Sequence, residues 1–239
     1  MDIKDLIRKS LNFLHLDLTK NLEYDRLTKV ILKMVIHENS NCIDVGCHKG
    51  EILEQLIKYA PKGHHYAFEP LPDFYNQLKN NFKSHVTIYP YALSDEGGNS
   101  TFQYVKNAPA YSGIKKRSYD IDNPEIEEIS VEVKTLDELI STDVNIELIK
   151  IDVEGGELGV LKGARRILKN SKPFVVFECG LGASEYYGTT PKDIFNIFDE
   201  SDLRVSTLKS FIKNSGSMDS QTFSEVFQKK EEYYFIAHP

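Results

Sequence analysis

The sequence predicts an α/β fold built on a mostly parallel sheet, and three observations carry that expectation. Short apolar runs alternate with helical segments through the interior. One of them, Cys42-Ile43-Asp44-Val45, ends in a glycine turn, Gly46-Cys47-His48-Lys49-Gly50, that opens a helix. The chain then closes on two strand-like runs, Leu203 to Leu208 and Tyr233 to Ala237. Such alternation signals βαβ units, and several runs are apolar on both faces, as central strands covered by helices are. The closing pair suits a hairpin-like end with an antiparallel last strand.

The elements follow in order. Ile3, Leu6, Ile7, Leu11 and Leu14, then Leu27, Val30, Ile31, Met34 and Val35, recur at helical spacing, so residues 1–40 are expected to form a helical extension before a sheet domain at 41–239. Strands are expected at Cys42 to Val45, Tyr66 to Phe68, Thr87 to Tyr91, Leu148 to Val153 and Phe174 to Cys179. After Gly50, Glu51 suits the positive end of a helix whose apolar face is Ile52, Leu53, Leu56 and Ile57. Thr190-Pro191-Lys192-Asp193 supplies a hydroxyl cap and a first-turn proline for a helix through Ile194, Ile197 and Phe198. Between the two closing strands lie only polar residues and a short Phe223 to Phe227 stretch, with no clear helix. Gln103 to Ile129 is irregular, mixing Tyr104, Tyr111 and Tyr119 with Lys106, Lys115, Lys116 and Arg117; it is either a solvated connection or a lid over a substrate.

Composition narrows the function. The 239 residues and 41% hydrophobic content suffice for one large core. A net charge of -7 opposes general binding to nucleic acid. Cys42, Cys47 and Cys179 form no even framework, which points to reduced thiols and a cytoplasmic protein. No apolar stretch approaches the roughly 18 residues of a membrane span, and acidic residues interrupt any basic start to a secretion signal. Oligomeric state leaves no mark in the sequence.

Four motifs carry chemistry. Asp44-x-Gly46-x-x-x-Gly50 is a strand-to-helix turn of the kind that binds nucleotide-like cofactors at the carboxyl end of a sheet. Glu69, before Pro70 and about twenty residues on, can accept hydrogen bonds from ribose hydroxyls. His48 stands where a dinucleotide fingerprint has its middle glycine, so a pyrophosphate is disfavoured against S-adenosylmethionine, whose ammonium Asp44 would favour. Tyr91-Ala92-Leu93-Ser94-Asp95 fits a loop that meets an adenine edge. In Lys150-Ile151-Asp152-Val153-Glu154-Gly155-Gly156-Glu157, strand geometry puts Lys150 and Asp152 on one face. Glu178 ends the next strand, so Asp152, Glu154 and Glu178 converge at one sheet edge, while Glu157 suits the dipole of the following helix.

Together these segments resemble the FkbM family of S-adenosylmethionine-dependent methyltransferases. The matching residues are Ile43-Asp44-Val45-Gly46 with Gly50, Ala67-Phe68-Glu69-Pro70, Ala92-Leu93-Ser94-Asp95, Thr135-Leu136-Asp137, Ile149 to Gly155 with Glu157, Leu161-Lys162-Gly163-Ala164 and Phe177-Glu178, within about Asn41 to Gly180. Cys47, His48 and Lys49 depart from the family's small or polar residues, and Gly156 from a frequent alanine. The resemblance implies a seven-stranded Rossmann-like class I methyltransferase domain and O-methylation of a hydroxyl on a sugar or a polyketide-type natural product. It also implies that Asp44 and Gly46 lie by the methionine part, Glu69 by the ribose, and Ala92 with Leu93 by the adenine. The cofactor site is accordingly expected at Asp44, Gly46, Cys47, His48, Gly50, Glu69, Pro70, Ala92 and Leu93.

Methyl transfer to an alcohol is helped by a general base, for which Asp152 or Glu154 is expected, with Glu178 as orienter or alternative. The same carboxylates could instead hold a divalent ion that acidifies the hydroxyl, although no ligand pattern in the sequence supports one. Tyr111, Ser112, Lys115 and Arg117 are the expected substrate contacts. A nicotinamide oxidoreductase and a cofactor-binding protein without catalysis are the more distant alternatives.

Overall fold

The computed structural model describes residues 19–119 and 121–239. The expected helix through Ile3 to Leu14 lies outside them. Helix α1, Lys20–Val35, starts where the Thr19 hydroxyl accepts the Leu22 N–H, and buries Leu27, Ile31, Leu32 and Val35. Next come β1 (Cys42–Val45), α2 (Glu51–Tyr59), β2 (His65–Phe68), α3 (Pro72–Asn81) and β3 (Val86–Tyr89). After the excursion described below, β7 (Leu148–Ile151), β8 (Phe174–Glu178), β9 (Arg204–Thr207) and β10 (Tyr234–His238) complete a seven-stranded sheet. Its order is β3-β2-β1-β7-β8-β10-β9, parallel except for β10, which runs antiparallel to both neighbours. The expected mostly parallel sheet with an antiparallel last strand is therefore present, with the last strand inserted between β8 and β9.

Alternation along the central strands divides the core into two faces. Cys42, Leu148, Val176 and Ile236 pack with Leu27, Ile31 and Leu32 of α1. Ile43, Ile149, Val175 and Phe235 pack on the other face with Ile167, Ile194, Phe198 and Phe223. Each strand buries both faces, which is why its sequence is apolar throughout.

Three expectations are corrected. Thr87 to Tyr91 is not one strand: β3 ends at Tyr89, and Ala92–Leu93 forms a short strand, β4, in a separate sheet with β5 (Gly98–Val105) and β6 (Ile126–Lys134). For the same reason the irregular segment is shorter than 103–129, because both of its ends lie in the β5–β6 antiparallel pair, from Gly98↔Val133 to Val105↔Ile126. Glu127, Glu128 and Glu132 have a loop-like composition yet occupy an exposed strand, while Val131 and Val133 face a small core with Leu71 and Phe102. Finally, two helices do separate the closing strands, Leu208–Ile212 and Ser220–Gln228, each capped by the side chain before it, Thr207 or Asp219. Leu208–Ile212 is too short for an apolar period to stand out, whereas Ser220–Gln228 buries Phe223 and Phe227 at helical spacing.

Candidate active site at the carboxyl ends of the strands

Register builds the site. Phe68, Val45, Ile151 and Phe177 form one row across β2, β1, β7 and β8, so Glu69, Gly46, Asp152 and Glu178 form the next, with Tyr234 of β10 paired to Glu178. Asp44 and Lys150, directly paired one step back, face the same side of the sheet. A cleft of about 930 Å³ opens over this row, a volume typical of small-molecule sites. Asp44, Gly46, Cys47, His48, Glu69, Pro70, Ala92 and Leu93 all line it, as do Asp152, Glu154, Glu178, Tyr111, Ser112 and Arg117.

At the glycine turn the backbone does the shaping. Gly46 has φ 73°, and a Cβ there would lie 1.9 Å from the Asp152 carbonyl oxygen, so only glycine fits. The N–H groups of Gly46 and Cys47 both donate to the Phe68 carbonyl. Gly50, also left-handed, lies outside the cleft lining and meets Leu78 and Phe82 instead, letting α2 start against α3. Glu69 accepts from the His48 N–H at 2.8 Å and from the Leu71 N–H at 2.9 Å, one bond to each oxygen. It therefore clamps the turn, a role that its position in the sequence did not reveal, and burial pushes its carboxyl up to about 7 against those two bonds. Asp44 is fully buried and neither oxygen has a hydrogen-bond partner among the described residues. Burial raises it to about 6, with the Lys150 charge opposing. An orphaned buried carboxylate beside a side-chain-free turn fits an ammonium-bearing ligand. Ala92 and Leu93 are buried on the far side, paired in parallel with Val133 and Lys134.

At the β7–β8 end side chains dominate. Asp152 accepts from Lys150 Nζ at 3.0 Å and from Tyr234 Oη at 2.5 Å, and it is hydrogen-bonded to Glu178. Burial alone would raise the Asp152 carboxyl, but Lys150 and these hydrogen bonds hold it down at about 2. Lys150 is itself nearly buried; desolvation lowers it, and the Asp152 and Asp44 charges outweigh that and hold it above its ordinary value. Burial and the Asp152 and Glu154 charges push Glu178 well above the carboxylate range, so it is the protonated partner. Burial also raises Glu154 to about 8, reinforced by Asp152 and opposed by Arg117. Glu154 has φ 59°, a left-handed conformation that aims its side chain into the cleft from the turn after β7. Glu157 is a structural group: it accepts from the Val153 and Gly155 N–H groups at 3.0 and 3.2 Å and secures that turn at the start of its helix.

The irregular segment 106–125 closes over these carboxylates. Gly113 bridges back to Gln103 of β5, and the Ser112 hydroxyl accepts the Val105 N–H at 3.0 Å. Arg117 pairs with Glu154, donates to the Gly182 carbonyl at 3.4 Å, and lies 5.4 and 5.6 Å from the Tyr111 and Tyr119 ring centres. From the loop after β8, Tyr187 Oη accepts the Lys115 N–H at 3.1 Å and Tyr186 Oη donates to Ser118 Oγ at 2.9 Å. Tyr186, Tyr187 and Tyr234 are thus site residues that the sequence reading missed. The Lys115 side chain, expected at the substrate, is exposed and outside the cleft lining; only its backbone takes part.

The carboxylate oxygens of Asp152, Glu154 and Glu178 lie within 4.8 Å of one another, close enough for a shared cation. Their partners do not fit one. Lys150 already neutralises Asp152 and Arg117 already neutralises Glu154, so a metal would add its charge beside two nearly buried cations. Among the described residues no helix is long and apolar enough to cross a membrane.

Comparison with known proteins agrees with this geometry. Hexuronic acid methyltransferase AglP of Haloferax volcanii is 32% identical over 155 residues, 62% of this chain and 58% of its own. The 2-O-methyltransferase NoeI of Sinorhizobium fredii is 26% identical over 153 residues, 54% of this chain and 59% of its own. The chain thus spans under two thirds of the length of these curated relatives. The crystal structure of methyltransferase FkbM from Methylobacillus flagellatus shares the fold, with a TM-score of 0.52 and 19% identity over 85% of this chain and 44% of that one. The sequence profile of the methyltransferase FkbM domain matches residues 44–206, from the carboxylate at the glycine turn into β9, and the chain belongs to that family.

Proposed function

We propose that the protein is an S-adenosylmethionine-dependent O-methyltransferase acting on a sugar hydroxyl, with Glu154 as general base. The observation that carries this reading is a single cleft joining the Asp44–Gly46–Glu69 turn to the Asp152–Glu154–Glu178 carboxylates in a chain of this family. The hexuronic acid named for one relative and the 2-O-methylation named for another support a sugar over a polyketide acceptor. Three free, buried thiols support a reducing, cytoplasmic setting.

S-adenosylmethionine supplies a methyl group on a sulfonium sulfur: the S–C bond breaks as the C–O bond forms, and the acceptor's proton is left for the protein to take. Asp44 offers its unpartnered carboxylate to the ammonium group, and the Gly46 turn admits the ligand with no side chain in the way. Glu69 keeps a free lone pair on each oxygen for ribose hydroxyls while its other pairs hold the turn. Pro70 with Cys47 and His48 walls that end, and buried Ala92 and Leu93 give an apolar seat for the adenine.

Among the three carboxylates, chemistry selects the base. Asp152 is ionised but already accepts from Lys150 and Tyr234, and a carboxyl held at about 2 is a weak proton acceptor. Glu178 already carries a proton. Glu154, raised to about 8, has the affinity the step needs. Tyr111 and Arg117 face the acceptor from above, and the segment that carries them keeps water out.

Thermal-shift comparison of S-adenosylhomocysteine with NAD tests the cofactor: stabilisation by the first alone is expected. A radiolabelled methyl-transfer screen over sugars, oligosaccharides and small hydroxylated metabolites then tests the reaction. Cofactor binding with no transfer to any acceptor would leave a binding protein and remove the enzyme.

A further inference from the structure

Three carboxyl groups and two cations meet at the acceptor end of the cleft. Oxygens of Asp152, Glu154 and Glu178 lie within 4.8 Å of one another, and all three residues are half-buried in the cleft lining. Lys150 pairs with Asp152 and Arg117 with Glu154, so a charge on Glu178 would stand uncompensated beside the others. Asp152 and Glu178 are hydrogen-bonded to each other, which needs a proton between them. Lys150 and Tyr234 both donate to Asp152, so the proton resides on Glu178. A protonated carboxyl has one hydrogen to give, here to Asp152, and a second oxygen that can only accept. Other polar groups nearby are committed elsewhere: the Tyr234 hydroxyl donates to Asp152, Tyr187 accepts the Lys115 N–H, and Ser112 accepts the Val105 N–H.

We propose that Glu178 is a specificity-determining residue that works as a neutral acid: its free oxygen accepts a hydrogen bond from a second hydroxyl of the acceptor, on the carbon next to the one methylated, so the enzyme requires a vicinal diol. The inference rests on the reading of Glu154 as the base of a sugar O-methyltransferase. Glu154 takes the proton of the reacting hydroxyl while Glu178 holds its neighbour. Carboxyl oxygens within 4.8 Å suit a gauche diol, whose two O–H groups diverge towards separate acceptors. The second contact fixes the ring and so decides which oxygen is presented to Glu154. A sugar without the neighbouring hydroxyl leaves Glu178 without its donor, and sites built to hydrogen-bond a hydroxyl reject analogues that lack it. The proton on Glu178 also keeps a further negative charge away from the hydroxyl oxygen that must become the nucleophile.

The test takes p-nitrophenyl β-D-glucopyranoside, β-D-galactopyranoside, α-D-mannopyranoside and α-L-fucopyranoside with S-adenosylmethionine, locates the new methyl group by NMR, and compares the reacting sugar with its deoxy and deoxyfluoro analogues. Replacing one hydroxyl adjacent to the methylated oxygen, by hydrogen or by non-donating fluorine, is expected to lower kcat/KM by about tenfold or more. Calorimetric titration of the same sugars into the protein saturated with S-adenosylhomocysteine should show the matching loss of affinity. Glu178→Leu is expected to slow the parent sugar and to treat parent and deoxy analogue alike. Glu178→Gln keeps a donor for Asp152 and an accepting oxygen, so it is expected to restore the penalty and to turn over about fivefold or more faster than Glu178→Leu. A purely structural Glu178 would slow both sugars equally and leave the penalty in place, which overturns the proposal. So does a deoxy series with no penalty at either adjacent carbon, or a Glu178→Gln variant as slow as Glu178→Leu, the mark of an ionised group; each of these leaves sugar O-methylation standing. Should Glu178→Leu fail to fold, the deoxy series on wild type and on Glu178→Gln decides alone. Failure of every pyranoside to accept a methyl group overturns the sugar reading and the diol requirement together.

Discussion

The two ends of the cleft are built from different materials. The donor end is main chain: Gly46 against the Asp152 carbonyl, Gly46 and Cys47 N–H groups on Phe68, and one glutamate clamping two further N–H groups. Apart from the Asp152 carbonyl its parts lie within residues 44–71, on adjacent strands. The acceptor end is side chain: Arg117 on Glu154, Tyr186 and Tyr187 on the 115–118 backbone, and Tyr234 on Asp152, drawn from four separate stretches of sequence. The difference teaches that the ligand common to a family can be gripped by geometry that tolerates no variation, while the variable ligand is met by contacts that one substitution can rewrite.

The sharpest way to break the comparison is Glu154→Gln. It is expected to lower kcat by about 10²- to 10⁴-fold, the usual worth of a general base, with S-adenosylhomocysteine affinity unchanged in a calorimetric titration. Retained turnover would move the base elsewhere. At the other end, Gly46→Ala forces a Cβ into a carbonyl oxygen at 1.9 Å and a left-handed backbone onto alanine. A loss of about 3 kcal/mol or more in urea unfolding, with cofactor binding lost, is expected; a near-normal midpoint would mean that the turn is adjustable after all.

Tyr234→Phe probes the junction. Removing one donor from an ionised carboxylate is expected to cost about 1.5–3 kcal/mol. Because the folded Asp152 carboxyl lies below its unfolded value, its contribution to stability is present above about pH 4 and is lost as the pH falls towards 2. The gap between wild type and variant should therefore close over that range, and a constant gap would assign the effect to packing.

The donor end titrates with the opposite sign. Folded Asp44 and Glu69 lie above their unfolded values, near 6 and 7, so the stability they contribute is present at low pH and lost as the pH rises through those values. The free protein should weaken from about pH 4 to 7 on their account. A cationic ligand offsets that loss, so the increase in Tm caused by S-adenosylmethionine should grow between pH 5 and 8; a flat response would separate Asp44 from the ammonium group. The smallest effect is expected from Tyr186→Phe, about 1 kcal/mol or less for an exposed hydroxyl pair. It should show as faster amide exchange at Ser118 and little change at the glycine turn.

Sequence legibility follows the same division. The glycine turn, Glu69 and the Lys150–Asp152 pair were visible because they depend on spacing within a strand or across one βα turn. The Thr190 cap was visible for the same reason, and the structure shows its full reciprocal box with Asp193. The Arg117–Glu154 pair joins residues 37 apart, which no local period encodes. Tyr234 becomes meaningful only once β10 is known to insert beside β8, and Tyr186 and Tyr187 only once their loop is known to face residues 115–118. The β5–β6 pair escaped notice because its acidic exposed face resembles a loop in composition. The helix Leu208–Ile212 is too brief to show a period, and the Phe223 and Phe227 pair of Ser220–Gln228 stands among polar residues.

The antiparallel β5–β6 pair, matched residue for residue from Gly98↔Val133 to Val105↔Ile126, brings the two ends of segment 106–125 side by side on a frame of their own. For protein engineering the segment is a cassette. It can be exchanged for one of another length and chemistry at the small entropic cost of reclosing a loop between fixed posts, without reaching the strands proposed to hold the methyl donor. Redirecting the enzyme to a new acceptor would then mean replacing this cassette together with Glu154 and Tyr187, the residues against which it closes.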